Sequence, residues 1–208
     1  MRTRQILGSL ACGAVLLTGA TGCSEESPGK PQPSNSGNSD KPNGGDNTGA
    51  ASADLLKLGV EQGQAGKLDE AKATFEKVLD ADENNKFAWF NLGFIAQSRN
   101  QNDEAISSYD KALAADASYK PALYNKAIAL ESTEPTKSVD IYRKVVSIDS
   151  KASTAYLRLG TLLSQSGDTA GARNAFSTAI RLDKRLASSV PAKYRAAPTA
   201  SSSARAGR

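Results

Sequence analysis

The chain has 208 residues, of which 39% are hydrophobic and 23% are charged, and its formal net charge is +4. This composition is ordinary for a soluble protein, and the length allows one domain with additional segments at its ends. The sequence has no histidine and only two cysteines. Histidine catalysis and the usual zinc ligand sets are therefore excluded, and we expect neither a metal site nor a cofactor.

Residues 1–22 have the organisation of an export signal. The positive segment MRTR precedes an apolar run that is too short and too rich in glycine for a good membrane-spanning helix. Small residues then lead directly to Cys23, which resembles the lipobox of bacterial lipoproteins, although Ala20 stands where that pattern favours leucine. The resemblance implies that Cys23 carries lipid and holds the protein on the extracytoplasmic face of the cell membrane. The alternative is ordinary cleavage after Ala20, which leaves Cys23 as a free thiol that is open to oxidation.

Residues 23–51 are predicted to be a disordered tether. No large apolar side chain occurs from residue 24 to residue 50, and Pro, Gly, Ser, Asn and Asp dominate. Such a segment cannot bury enough surface to offset its ordering entropy. A flexible chain of this length spans about 30 Å, which would hold a folded domain just clear of a membrane.

From residue 52 the sequence repeats with a period of 33 or 34 residues. Three kinds of residue recur in step, and each kind occurs four times. They are the aromatic residues Phe75, Tyr109, Tyr142 and Phe176, the aspartates Asp82, Asp116, Asp149 and Asp183, and the small residues Gly59, Gly93, Ala127 and Gly160. The last series places the one missing residue of the third repeat between Ala127 and Tyr142.

This period and these residues resemble the tetratricopeptide repeat, with its pattern W-x2-L-G-x2-Y, then A-x3-F, then P. The second repeat carries the pattern best, in Trp89, Leu92, Gly93, Ala105 and Tyr109. The repeats cover residues 52–185, as 52–85, 86–119, 120–152 and 153–185, and none has the terminal proline. The resemblance implies an all-α fold, a right-handed superhelical solenoid of four helix-turn-helix repeats.

The third repeat matches least well, because Lys126 stands where leucine is expected, and we expect its first helix to pack loosely or to shift register. In each repeat a small residue should let two helices approach, and an aromatic residue on the second helix should fill the space beside it. Gly66 and Gly167 should mark turns, Asp168 should cap the following helix, and Pro135 should lie in a first helical turn.

The predicted helix of residues 86–99 carries two apolar stripes. Trp89 belongs to one stripe, and Phe87, Phe90 and Phe94 form the other, about 140° away around the helix. A single partner helix cannot cover both stripes. Because the Trp89 stripe has counterparts in the other repeats, we assign it to the architecture and the phenylalanine stripe to a ligand.

The tetratricopeptide resemblance also implies a concave groove lined by the first helix of each repeat. Its apolar members here are Leu56, Val60, Phe87, Phe90, Phe94, Tyr124, Ile128 and Leu157. Some relatives bind acidic peptide tails through a Lys/Asn/Arg clamp, but here only Asn91, Asn125 and Arg158 resemble parts of it. We therefore expect a hydrophobic peptide or helix as the ligand. Occupation of the groove by the protein's own linker or tail is the alternative.

Residues 186–208 are predicted to form a basic, mostly disordered tail, and the few residues before Pro191 predict a poor cap for the last repeat. A solvated tail is favoured over one that contacts anionic lipid or cell-wall polymer. Residues 24–183 carry 18 basic and 22 acidic side chains, so no nucleic-acid-binding body is indicated.

No motif indicates catalysis. The segment DADENN begins like a calcium loop, but Asn85 replaces its glycine and Asn91 replaces its bidentate glutamate. No phosphate-binding loop or nucleophile with a partner set is present. The sequence thus predicts a lipid-anchored, non-enzymatic scaffold that binds protein or peptide at the bacterial cell envelope. The alternative is a structural protein that self-associates as a homo-oligomer through its poorly capped last repeat.

If Cys23 carries lipid, the mature protein should partition into the detergent phase of a phase separation, and Cys23→Ala should abolish that partitioning. Acyl chains bury many methylene groups in the bilayer, and several chains hold a protein far better than one. Release of an unlipidated wild-type protein that begins at Thr21 would contradict this prediction.

Overall fold

The structure is a computed structural model that describes residues 47–195, with side chains from residue 51. The predicted signal of residues 1–22, the lipidation site Cys23 and residues 196–208 lie outside the described residues. All regular elements between residues 47 and 195 are helical, which confirms the all-α prediction. None of these helices is long and apolar enough to cross a bilayer.

Eight helices form four consecutive pairs, and the two helices of each pair pack against each other. The pairs are α1 (Asn47–Gln64) with α2 (Leu68–Ala81), α3 (Lys86–Ser98) with α4 (Asn102–Ala115), α5 (Lys120–Leu130) with α6 (Pro135–Ile148), and α7 (Ser153–Gln165) with α8 (Thr169–Leu182). Helix α1 begins inside the predicted tether of residues 23–51. The chain divides into two compact units between Glu83 and Asn84, so α1 and α2 belong to the first unit and α3 to α8 to the second.

In three repeats, an aromatic ring on the second helix lies directly against a glycine of the first helix. A Cβ atom added to the glycine would come within 2.6 to 2.8 Å of the ring. The pairs are Gly59 with Phe75, Gly93 with Tyr109, and Gly160 with Phe176. A side chain at any of these three glycine positions would displace the ring. The predicted pairing of small and aromatic residues is therefore confirmed in these repeats.

In the third repeat, Ala127 and Tyr142 occupy the corresponding positions, and both residues are fully buried in one hydrophobic cluster. Helix α5 has 11 residues where α3 and α7 each have 13, and the turn that follows α5 has four residues instead of three. The two differences together leave the third repeat one residue shorter. The expected loosening at Lys126 does not occur, because its ammonium group forms an ion pair with Asp110 on α4 while the helix keeps its register.

The turns inside the repeats follow the sequence signals. Gly66 and Gly167 adopt left-handed backbone conformations, with φ of 76° and 87°, and Asn100 does so at the corresponding place in the second repeat, with φ of 61°. Asp168 accepts a hydrogen bond of 2.8 Å from the backbone nitrogen of Gly171, as an N-cap should. In the third repeat Pro135 begins α6, where its missing N–H costs no helical hydrogen bond.

The recurring aspartates end the second helices and hold the turns that follow. Asp116 accepts hydrogen bonds from Lys86 Nζ at 2.7 Å and from the backbone nitrogen of Ser118 at 3.0 Å. The bonds from Lys86 and Ser118 lower the pKa of Asp116 to about 2. Lys120 and Asp149 repeat the arrangement at 2.9 Å. In the second and third repeats, the beginning of the first helix is therefore tied to the end of the second helix.

The end of the last repeat is better covered than the sequence predicted. A 3-10 helix (Lys184–Ser189) and the short helix α9 (Ala192–Arg195) follow α8. Val190 and Tyr194 are buried, and the Tyr194 ring centroid lies 5.0 Å from that of Phe176. Residues 186–195 of the predicted tail therefore form a cap. Sequence periodicity missed this cap because its two buried residues come from either side of Pro191 and share no helical stripe.

Phe176→Ala should destabilise the protein by about 3 to 5 kcal/mol, because the substitution removes a fully buried ring that touches both Gly160 and the cap. Denaturant unfolding followed by circular dichroism at 222 nm measures the change. Unfolding indistinguishable from the wild type would contradict the packing described here.

Candidate functional site

The candidate site is the side of the second unit formed by the first helices of its three repeats. Helix α3 contacts α5, and Arg158 on α7 donates a hydrogen bond of 3.2 Å from Nε to the hydroxyl of Tyr124 on α5. Five predicted groove residues on these helices are partly exposed, and together they define the first-helix face. They are Phe87, Phe94, Tyr124, Ile128 and Leu157.

Phe90 differs from the expectation, because it is only 3% exposed and offers no surface to a ligand. Its ring lies 6.0 Å from Tyr109 and 5.6 Å, edge to face, from Tyr119. Tyr119 also packs edge to face against Phe87 at 5.7 Å. The phenylalanine stripe is thus partly covered by Tyr119, a residue of the turn before α5, and Phe90 belongs to the core.

The predicted groove residues Leu56 and Val60 lie in the first unit, on α1. Leu56 is partly exposed, whereas Val60 is buried and is unavailable to a ligand. Trp89 is partly buried against the core of its own repeat, and Lys111 Nζ lies 4.0 Å above its ring centroid. This position agrees with the architectural role expected for Trp89.

A polar network connects the third and fourth repeats beside the first-helix face. Arg158 donates from Nη1 to both carboxylate oxygens of Glu131, at 2.8 and 3.0 Å. Tyr142 donates its hydroxyl hydrogen to Glu131 Oε1 at 2.6 Å. Burial, the hydrogen bond to Glu131 and its negative charge together raise the pKa of Tyr142, so its hydroxyl remains a donor at all physiological pH values.

The network fixes the polar boundary of the first-helix face. Glu131 has both carboxylate oxygens engaged, and Arg158 remains about one-third exposed. The sequence pointed to Arg158 only through its partial similarity to a clamp residue. It gave no signal for the link to Glu131, because the two residues are 27 positions apart and lie in different repeats.

Asn91, on α3, is another residue that resembled part of the clamp in the sequence. It is 1% exposed and donates from Nδ2 to the carbonyl oxygen of Phe87 at 2.8 Å. Its Oδ1 atom has no hydrogen-bond partner within the described part of the chain, and neither does the hydroxyl of Tyr119. Unpaired buried polar atoms are uncommon in native proteins.

Among residues 51–195, no group of His, Cys, Asp and Glu side chains is arranged to hold a metal ion. The first-helix face instead combines partly exposed apolar and aromatic groups with one half-buried arginine at its edge. Such a surface can hold an apolar segment and can orient it with a few polar contacts.

Comparison with known proteins identifies the repeats. Two models of the tetratricopeptide repeat family match the chain, over residues 56–120 and over residues 153–185. These matches include the second repeat and the fourth, where the sequence pattern was clearest. No curated protein is significantly similar to the chain in sequence.

Several solved structures share the fold. MamA aligns with 25% identity and a TM-score of 0.59, over 64% of this chain and 79% of its own. PilF of Pseudomonas aeruginosa aligns with 24% identity and a TM-score of 0.61, over 68% and 65% respectively. YrrB, described as a TPR protein with an unusual peptide-binding site, aligns with 20% identity and a TM-score of 0.59, over 64% and 70%. The last two similarities concern the fold alone.

Phe90→Ala should destabilise the protein by about 3 to 5 kcal/mol, whereas Phe94→Ala, at a partly exposed position of the same helix, should cost clearly less. Chemical denaturation of both variants measures the difference. Equal losses of stability would show that the two phenylalanines are not distinguished by burial in the way described.

Proposed function

The chain is a tetratricopeptide repeat protein, and from this premise we propose that it is an exported, lipid-anchored scaffold that binds an apolar peptide or protein segment at the bacterial cell envelope. Tetratricopeptide repeats and the structural neighbours support a protein–protein interaction scaffold, a fold that is generally non-catalytic. Export and lipidation rest on the sequence of residues 1–23. The binding mode rests on the first-helix face.

The observation that carries the binding proposal is that five apolar side chains stay partly exposed at groove positions of three successive repeats. Tyr124, Ile128 and Leu157 each pack against one hydrophobic cluster with part of their surface, so the scaffold fixes their positions. An apolar surface held rigid in this way binds at a low entropic cost, because its side chains are already ordered.

The expected affinity is moderate. Covering about 200 Å² of apolar surface on this face contributes roughly 5 kcal/mol before association costs, and the covered surface of the partner contributes a comparable amount. Micromolar binding is within that range. Arg158 at the edge can add orientation through hydrogen bonds to the partner's polar groups.

The self-association alternative depended on a poorly capped last repeat. Val190 and Tyr194 pack on that repeat and cover part of the apolar end through which copies would stack. Peptide binding is therefore the function that the geometry favours. Static light scattering distinguishes the two, because a scaffold for other proteins need not exceed the monomer mass.

We expect the double substitution Phe94→Ser with Ile128→Ser to abolish partner capture while the protein stays folded with nearly unchanged helix content, because both side chains are partly exposed on the first-helix face. The measurement is co-purification from native membranes, followed by mass spectrometry. Ile148→Ser, at an apolar residue that is 41% exposed outside this face, is the matched control and should capture as the wild type does.

Loss of capture in the control, or capture that survives in the folded double variant, would place the ligand elsewhere. If the wild type and both variants all fail to capture a partner, then either the protein's own chain occupies the groove or the proposed function is wrong.

A further inference from the structure

The C-terminal end of the second unit is strongly basic. From Thr169 to Arg195 the chain carries six basic residues and one acidic residue, Asp183. Asp183 is already engaged by Arg185, whose Nη2 lies 2.9 Å from its Oδ2. None of the other five cations forms an ion pair with a described carboxylate. Arg195 donates hydrogen bonds to the carbonyl oxygens of Val190 and Ser188, and the remaining four define the basic face. They are Arg173, Arg181, Lys184 and Lys193.

These four cations come from three consecutive elements that meet at the cap. The guanidinium carbon of Arg173 lies 5.8 Å from the ring centroid of Tyr194, and Lys193 Nζ lies 4.9 Å from the same ring. Arg173 and Arg181 are eight residues apart on α8, which places them within about 80° of each other around the helix. Lys184 begins the 3-10 helix that follows.

We propose that the basic face binds the surface of a membrane that contains anionic lipids. Its cations are distributed over α8, the 3-10 helix and α9. A small anion is held by donors that converge on one point, often in a bidentate arrangement. A membrane surface with many anionic headgroups instead attracts each basic residue near it, and the contributions accumulate.

Two other polyanionic partners fit this part of the chain less well. Single-stranded nucleic acid is bound by stacking its bases on exposed aromatic rings, but Tyr194, the aromatic residue of the cap, is only 3% exposed. A protein partner requires apolar anchors at the centre of the interface. The large apolar residues that are well exposed in the described chain are Leu58 and Ile148, and both lie outside the segment from Thr169 to Arg195.

The inference goes beyond the proposed function, because the basic face lies on other elements than the first-helix face and requires no peptide ligand. It is also independent of lipid at Cys23. If both hold, the protein contacts the membrane at two places. Electrostatic contact of this kind weakens as salt increases, since the Debye length shortens.

The test is co-sedimentation of the full chain, with Cys23→Ala to remove any lipid, with vesicles of phosphatidylcholine alone or mixed with phosphatidylglycerol. The variant Arg181→Gln, Lys184→Gln, Lys193→Gln removes three charges from the basic face. The control Lys137→Gln, Arg143→Gln, Lys144→Gln removes three exposed charges from α6 and leaves the same net charge. Binding to the neutral vesicles measures what the apolar residues 6–20 contribute by themselves.

We expect the wild type and the α6 control to bind the mixed vesicles, and the basic-face variant to bind them at least about tenfold more weakly. High salt should remove this difference. Equal binding by the two variants would overturn the proposal, and so would binding to soluble polyphosphate without binding to mixed vesicles, which would indicate a soluble polyanion. Circular dichroism verifies that both variants are folded.

Discussion

The close contact between a small first-helix residue and an aromatic ring of the second helix is the constraint on which the rest of the structure depends. At Gly93 a Cβ atom would come within 2.6 Å of the Tyr109 ring, so the two helices can approach this closely only without a side chain there. Two of the rings also support other aromatic residues. Tyr109 packs against Phe90 within its own helix pair, and Phe176 reaches beyond its pair to support the cap through Tyr194.

The parts of the fold that could be predicted are those that depend on local or periodic sequence patterns. Recurring glycines, aromatics and aspartates located the four helix pairs, because each repeat packs its two helices with the same residue types. Turn signals such as Gly167 and Asp168 predicted where helices end and begin, since backbone conformation and capping are local properties. Even the shortened third repeat was visible as one missing residue.

The parts that could not be predicted depend on contacts between residues far apart in sequence. Phe90 resembled a ligand-binding residue on its own helix, but Tyr119 in a later turn covers it. The cap was missed for the same reason. Val190 and Tyr194 follow no periodicity, and they are buried only because they pack in the cluster that contains Phe176. For the candidate site, the sequence therefore overestimated how much of the aromatic stripe is exposed. The remaining exposed face is smaller and lies mainly around Phe94, Tyr124, Ile128 and Leu157.

The central claim is that a partner binds this remaining face and not the surface of the second helices. Site-specific photo-crosslinking in the native cells tests it most directly, with a benzophenone amino acid introduced at Ile128 or, in a separate protein, at Ile148. Ile128 is half-buried on the first-helix face, and Ile148 is an exposed apolar residue at the end of α6. The account predicts a discrete crosslinked product from position 128 and none of the same mass from position 148. The same product from both positions, or a product from position 148 alone, would contradict it.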